Sequence, residues 1–183
     1  MTRAILATSL LLMTGLAAAA QQSTGDWQSR LGQMMPLLGH RNWIMIVDSA
    51  YPLQSSAGVE TLETNADQME VIRKVLGAID SSIHVRPIVY MDAELPFVTE
   101  KDAPGVTKYR EEIKTALAGR PITSLPHEQI IAKVDDVGKT FHIVILKTTM
   151  TVPYTSVFLQ LNCKYWSDDA EAQLRKAMSA GAK

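Results

Sequence analysis

The sequence predicts an α/β domain whose central sheet, predominantly parallel or mixed, is covered by helices on both faces in three α/β/α layers. Three observations carry that expectation. The run Trp43-Ile44-Met45-Ile46-Val47 is apolar throughout and bounded by polar turns, the pattern of a strand buried on both faces. Segments with apolar residues at three-to-four spacing alternate with short apolar runs, as helical crossovers between parallel strands require. The composition, 46% hydrophobic and 20% charged over 183 residues, suits one domain with a sizeable core.

Residues 1–20 stand apart from that domain. Arg3 precedes a mostly apolar stretch, and Ala17-Ala18-Ala19-Ala20 meets Gln21-Gln22 at a small-residue junction that a signal peptidase accepts. The expectation is a secretory signal peptide over 1–20, cut near Ala20, with a single secreted or periplasmic domain over 21–183. The stretch is too short and badly flanked for a membrane anchor, and an uncleaved apolar helix is the alternative. Its removal takes Arg3 and no acid, leaving 17 basic and 19 acidic residues. That balance, with no long charged block, argues against a nucleic-acid partner. Cys163 is the only cysteine, which excludes an internal disulfide and any CxxC site. Within the apolar run 156–163 it is expected to be a buried, inert thiol.

The mature chain opens with a helix over 26–38, with Trp27, Leu31, Met34, Met35 and Leu38 inward and Pro36 distorting its last turn. A strand over 43–47 follows, then a long polar connection over 49–64 containing Pro52, Gln54-Ser55-Ser56 and Gly58. Asn65 is expected to cap the next helix, with Gln68 reaching back in a capping box and Met69, Ile72, Val75, Leu76 and Ile79 buried. A strand over 82–90 carries Pro87, which limits central pairing. Asp92 and Glu94 lie near this second strand end, where two acids two apart could face one cavity, but an exposed loop is the expectation. A helix over 106–117 turns Tyr109, Ile113 and Leu117 inward and ends at Gly119 and Pro121. Residues 124–129 begin a short helix, and 141–146 and 154–163 are strands. The last helix, 168–178, starts on Asp168 and Asp169 and docks through Leu174 and Met178.

Asp48 closes the strand at 43–47, and ligands of open α/β sheets collect beyond the carboxyl ends of strands. His40 enters at the opposite end. The two meet within one chain only if the 39–42 corner folds back along the sheet; otherwise a neighbouring subunit supplies one of them. Histidine suits proton transfer near neutrality, so His40 and His127 are candidates, while His84 and His142 stay unassigned. Each has a plain structural alternative: a histidine after glycine can cap a helix end, and Asp48 can bond turn amides. No HExxH, histidine cluster or GxSxG element supports a metal or hydrolytic enzyme.

Leu38-Gly39-His40, the apolar strand, Asp48 and Pro52 resemble the ribose pyranase and fucose mutarotase family. Pro153-Tyr154-Thr155-Ser156-Val157-Phe158-Leu159 looks like its tyrosine-x-asparagine element, and His127-Glu128-Gln129 like the second histidine segment of the ribose branch. Val106-Thr107-Lys108-Tyr109-Arg110 looks like a helix start of the fucose branch. The resemblance implies interconversion of cyclic forms of a free monosaccharide by acid–base catalysis, with no metal and no cofactor. It also implies a homo-oligomer with the site between subunits. It makes His40 the principal proton-transfer group, oriented and kept basic by Asp48, with His127 as the second candidate and Tyr154 donating to a ring or anomeric oxygen, while Gln54, Ser156 and Tyr109 hold the sugar. Three departures stand out: Ser156 replaces the asparagine, residues 53–64 lack the basic residue of the ribose branch, and residues 162–183 extend beyond the usual terminus. A catalytically weak or inactive sugar-binding protein of the same fold is the alternative they favour.

Overall fold

The computed structural model describes residues 26–181, so the expected signal peptide lies outside the described residues. Six strands form one mixed sheet in the order β2-β5-β1-β6-β3-β4. The strands are β1 (Trp43–Val47), β2 (Val59–Glu63), β3 (Val85–Asp92), β4 (Ile122–Leu125), β5 (Ile143–Lys147) and β6 (Val157–Cys163). The helices are α1 (Asp26–Met34), α2 (Gln68–Ser81), α3 (Val106–Ala116), α4 (His127–Val137) and α5 (Asp168–Gly181). β1 pairs in parallel with β5, and β5 with β2, while β6 runs antiparallel to both β1 and β3. β3 and β4 are parallel. Five strands therefore share one direction, and their carboxyl ends gather at one edge of the sheet.

β1 is the central strand of the expectation, buried at all five positions. Its period of two divides the core. Ile44 and Ile46 pack with α1, α2 and α3, while Trp43, Met45 and Val47 pack with Ile130 and Val134 of α4. Trp43 stacks on Tyr90 with ring centroids 5.3 Å apart. Helices thus cover both faces, and the three-layer α/β reading holds.

The differences are local. α1 stops at Met34 and a turn covers the residues around Pro36, whose ring disfavours helical geometry in the residue before it. The 49–64 connection contains edge strand β2, which two glutamates and only two aliphatic residues had disguised. Asp67, not Asn65, caps α2, accepting from the Glu70 amide at 3.1 Å, and Asn65 adopts φ +48°. Gln68 is buried and bonded into the core rather than into a capping box. Of the residues 124–129 expected to begin a short helix, Ser124 and Leu125 belong instead to β4, which pairs with β3, and Pro126 caps the longer α4. Pro87 lies on the part of β3 that β4 does not reach, since pairing begins at Val89. The consecutive strands β5 and β6 are separated by β1 in the sheet. Cys163 is half-buried, not fully buried. α5 buries no residue, so the expected docking of Leu174 and Met178 does not occur. It is tethered instead by Arg86 to Asp168 at 2.9 Å.

Candidate active site at the carboxyl ends of the strands

Asp48 follows β1, β3 ends on Asp92, β4 leads through Pro126 into His127, and β6, the one reversed strand among those described, begins just after Tyr154 and Ser156. Two adjoining cavities open there. The larger, about 570 Å³, is lined by Asp48, Tyr51, Gln54, Ser55, His127 and Asp135 among others. The second, about 420 Å³, shares Asp48 and His127 and adds Tyr154. Both volumes fall in the range of small-molecule sites.

His127 is the first residue of α4, and three contacts fix it. Its amide donates to both carboxylate oxygens of Glu94, at 3.0 and 3.2 Å, satisfying an N-terminal donor that no intrahelical carbonyl reaches. Its Nδ1 lies 3.1 Å from Asp92 Oδ1. The Tyr154 ring meets it edge-on, with centroids 5.8 Å apart. The imidazole remains one-third exposed while the Asp92 side chain is 1% exposed. Burial pushes the Asp92 carboxyl above its ordinary value, the His127 contact partly offsets this, and the charges of Glu94 and Asp48 add to the rise.

Tyr154 holds φ +58°, a left-handed conformation that is uncommon for an aromatic residue and is typical of functional positions. Asp48 Oδ1 accepts from the Ala50 amide at 2.9 Å and Oδ2 faces Ser156 Oγ at 3.4 Å, so it closes its own turn as well as lining both cavities. Gln54 donates to Tyr51 Oη at 3.0 Å. Burial raises the Tyr51 phenol to about 12, so it stays a protonated donor at neutral pH. Lys147 at the end of β5 donates to the Tyr51 carbonyl at 2.9 Å and braces this wall.

The structure brings together Asp48, Gln54, His127 and Tyr154 of the sequence-derived set. Ser156 is nearby but 2% exposed, with its hydroxyl turned toward Asp48 rather than into the cavity. Tyr109 lies away from it: it is 3% exposed, packed in the α1–α3 face of the core, and donates to the Thr155 carbonyl at 2.5 Å. His40 is exposed at the other end of β1, separated from Asp48 by about 17 Å of strand. The corner does not fold back, because the Arg41 backbone amide donates to the Leu161 carbonyl and Asn42 Oδ1 accepts from the Gly39 amide at 2.7 Å. His84 is structural, its Nε2 lying 3.0 Å from the Leu38 carbonyl, and His142 sits 3.8 Å from Glu60, far from the site.

Sequence reasoning missed Tyr51 and underrated Asp92 and Glu94, which are a buried and a half-buried group rather than exposed loop acids. One signal was available. Extending β3 by its own alternation places Asp92 on the same face as Tyr90, toward α4. Among the described residues no group of three or more histidines, cysteines and acids converges to hold a metal ion. None of the described helices is long and apolar enough to cross a membrane.

Residues 25–163 match the model of the RbsD / FucU transport protein family. The chain is similar in fold to RbsD of Bacillus subtilis complexed with D-ribose, with a TM-score of 0.51 and 19% identity, covering 73% of this chain and 92% of that one. It is likewise similar to FucU from Bifidobacterium longum, with a TM-score of 0.51 and 17% identity over 73% and 92%. No curated protein matches the sequence.

Proposed function

The chain belongs to the RbsD / FucU transport protein family, and from that premise we propose that it opens and recloses the ring of a free monosaccharide, as a mutarotase or pyranase. The observation that carries this reading is the convergence of His127, Tyr154 and Asp48 on one sugar-sized pair of cavities walled by Gln54 and the serine-rich turn. The solved relative that holds D-ribose supports the substrate class.

Ring opening needs only proton transfers. A base takes the proton of the anomeric hydroxyl, whose electron pair forms the carbonyl as the bond from C1 to the ring oxygen breaks. An acid gives that oxygen a proton, and closure from the same or another hydroxyl reverses both transfers. His127 serves as one of these groups. Tyr154 Oη donates to a ring or anomeric oxygen, and Asp48 and Gln54 bond sugar hydroxyls. His40 acts from a neighbouring chain of a homo-oligomer, because the length of β1 keeps it from Asp48 within one chain. The domain works outside the cytoplasm after loss of residues 1–20.

Mixing tests the shared site. His40→Ala chains and His127→Ala chains, each slow in exchanging sugar forms, are unfolded, combined and reassembled. A composite site restores about a quarter of wild-type exchange in an equal mixture, the statistical share of interfaces with both histidines intact. A His40→Ala variant with undiminished exchange would remove His40 from the reaction, and two slow variants with no recovery on mixing would exclude a site shared between chains.

A second reading is sugar binding with little turnover. It is favoured by Ser156, whose buried hydroxyl faces Asp48 and offers the cavity no amide. Saturable sugar affinity with unchanged exchange rates would select it.

A further inference from the structure

We propose that Asp92 is a positioning residue: its carboxylate takes the Nδ1–H of His127 and so leaves Nε2 as the acceptor that the ring presents to the cavity. This rests on the reading of His127 as a proton-transfer group. The geometry has the three parts such a device needs. The ring is anchored at Nδ1 by a contact of 3.1 Å to a side chain that solvent does not reach. The residue's backbone is independently clamped by Glu94, so the ring has only its side-chain torsions left to settle. Tyr154 stands edge-on against it, restricting those torsions. With Nδ1 against the buried Asp92, Nε2 is the ring nitrogen left to face the cavity that His127 lines.

The second carboxylate oxygen shows why this contact is not there to hold the fold. Asp92 Oδ2 is buried and has no hydrogen-bond partner among the described residues. A buried, half-satisfied carboxylate costs stability. With its folded-state value raised above the ordinary one, Asp92 contributes stability that is fully present below the unfolded value. That contribution is lost as pH rises through the raised value. In its ionised form the group therefore weakens the fold while it orients the histidine. The groups facing the pair are mostly acidic or neutral. Glu94 follows β3, Asp48 follows β1, Tyr51 and Tyr154 come from the cavity walls, and Glu128 and Asp135 lie on α4 itself. None of them offers Nδ1 an alternative acceptor as close as Asp92.

The test uses the full-length protein labelled with 15N at histidine, comparing wild type with Asp92→Asn. Long-range 1H–15N correlations report the His127 tautomer, chemical denaturation at neutral pH reports stability, and NMR exchange spectroscopy reports sugar interconversion. The expected result is an Nδ1–H tautomer in wild type that becomes mixed or reversed in Asp92→Asn. Exchange catalysis should fall roughly a hundredfold, the lower part of what a general acid–base group supplies, and the variant should be at least as stable as wild type. An Nε2–H tautomer in wild type would overturn the proposal. So would an unchanged tautomer in the variant, or a loss of rate that follows a loss of folded protein. Wild type with the expected tautomer but no exchange catalysis would overturn the sugar-exchange reading and leave the Asp92–His127 pairing standing.

Discussion

Gln68 ties the core of this protein to its candidate site, and replacing it has a calculable cost. Its side chain is fully buried on α2. Nε2 donates to Tyr109 Oη at 3.2 Å and to the Thr155 carbonyl, while Oε1 lies 3.2 Å from Thr148 Oγ1. Thr148 and Thr155 bracket the loop that holds Tyr154 in its left-handed conformation. Each lost bond costs about 1 kcal/mol when its partners keep another contact. They do here, because Thr148 also donates to the Val47 carbonyl and Tyr109 to that of Thr155. Gln68→Ala should therefore destabilise by about 2 kcal/mol from its two donated bonds, the single Thr148 hydroxyl proton going to the nearer Val47 carbonyl, with a further cavity contribution on the order of 1 kcal/mol. Gln68→Leu fills most of that space and should isolate the bonding part. Urea denaturation of both variants gives the difference. A double-mutant cycle with Tyr109→Phe should be non-additive, because the two side chains share the Thr155 carbonyl. Costs below about 0.5 kcal/mol for both Gln68 variants, the level of an ordinary surface change, would refute the reasoning.

Gly58→Ala should cost about 1–3 kcal/mol by denaturation, because a Cβ there would stand 3.0 Å from the Gly138 carbonyl oxygen and 3.1 Å from that of Phe141. Backbone on both sides leaves little to give way. Arg30 holds the Glu60 carboxyl below the usual glutamate range through bonds of 2.6 and 2.9 Å. That pairing contributes stability present above the unfolded glutamate value and lost as pH falls through the lowered folded one. Arg30→Met should flatten this part of the acid limb in a pH series of melting temperatures, and an unchanged limb would exclude the pair as its source. For export, intact-mass analysis of protein recovered from the extracytoplasmic fraction should give a chain beginning near Gln21. A full-length cytoplasmic product would contradict the expectation.

Much of the fold was legible because burial writes itself into pattern. β1 is apolar at every position and is covered on both faces, and α2 and α3 carry the apolar stripes that their packing uses. The failures fall where pattern and burial part. β2 and β4 are edge strands with four or five residues, half or fully exposed, so neither needed an apolar run to be stable in the sheet. α5 has an amphipathic sequence but buries nothing, and its apolar spacing had suggested a docking that the fold does not make. The candidate site, as the cavities that Asp48, His127 and Tyr154 line, was legible through the family resemblance and the rule that strand ends gather ligands. Asp92 was hidden by its composition context: an acid followed by alanine and glutamate looks like a solvated turn until the strand is known to run to it. His40 could be seen from sequence but not placed, since its distance from Asp48 depends on the path of residues 39–42.

The most direct test of the sugar-exchange account is magnetisation-transfer NMR of ribose, fucose and a small panel of other monosaccharides, with protein spanning residues 21–183. Wild type should accelerate exchange between ring or anomeric forms of at least one sugar. His127→Ala at equal folded concentration should lose roughly a hundredfold or more of that acceleration. Absence of acceleration for every sugar, or an acceleration that survives loss of His127, would contradict the account.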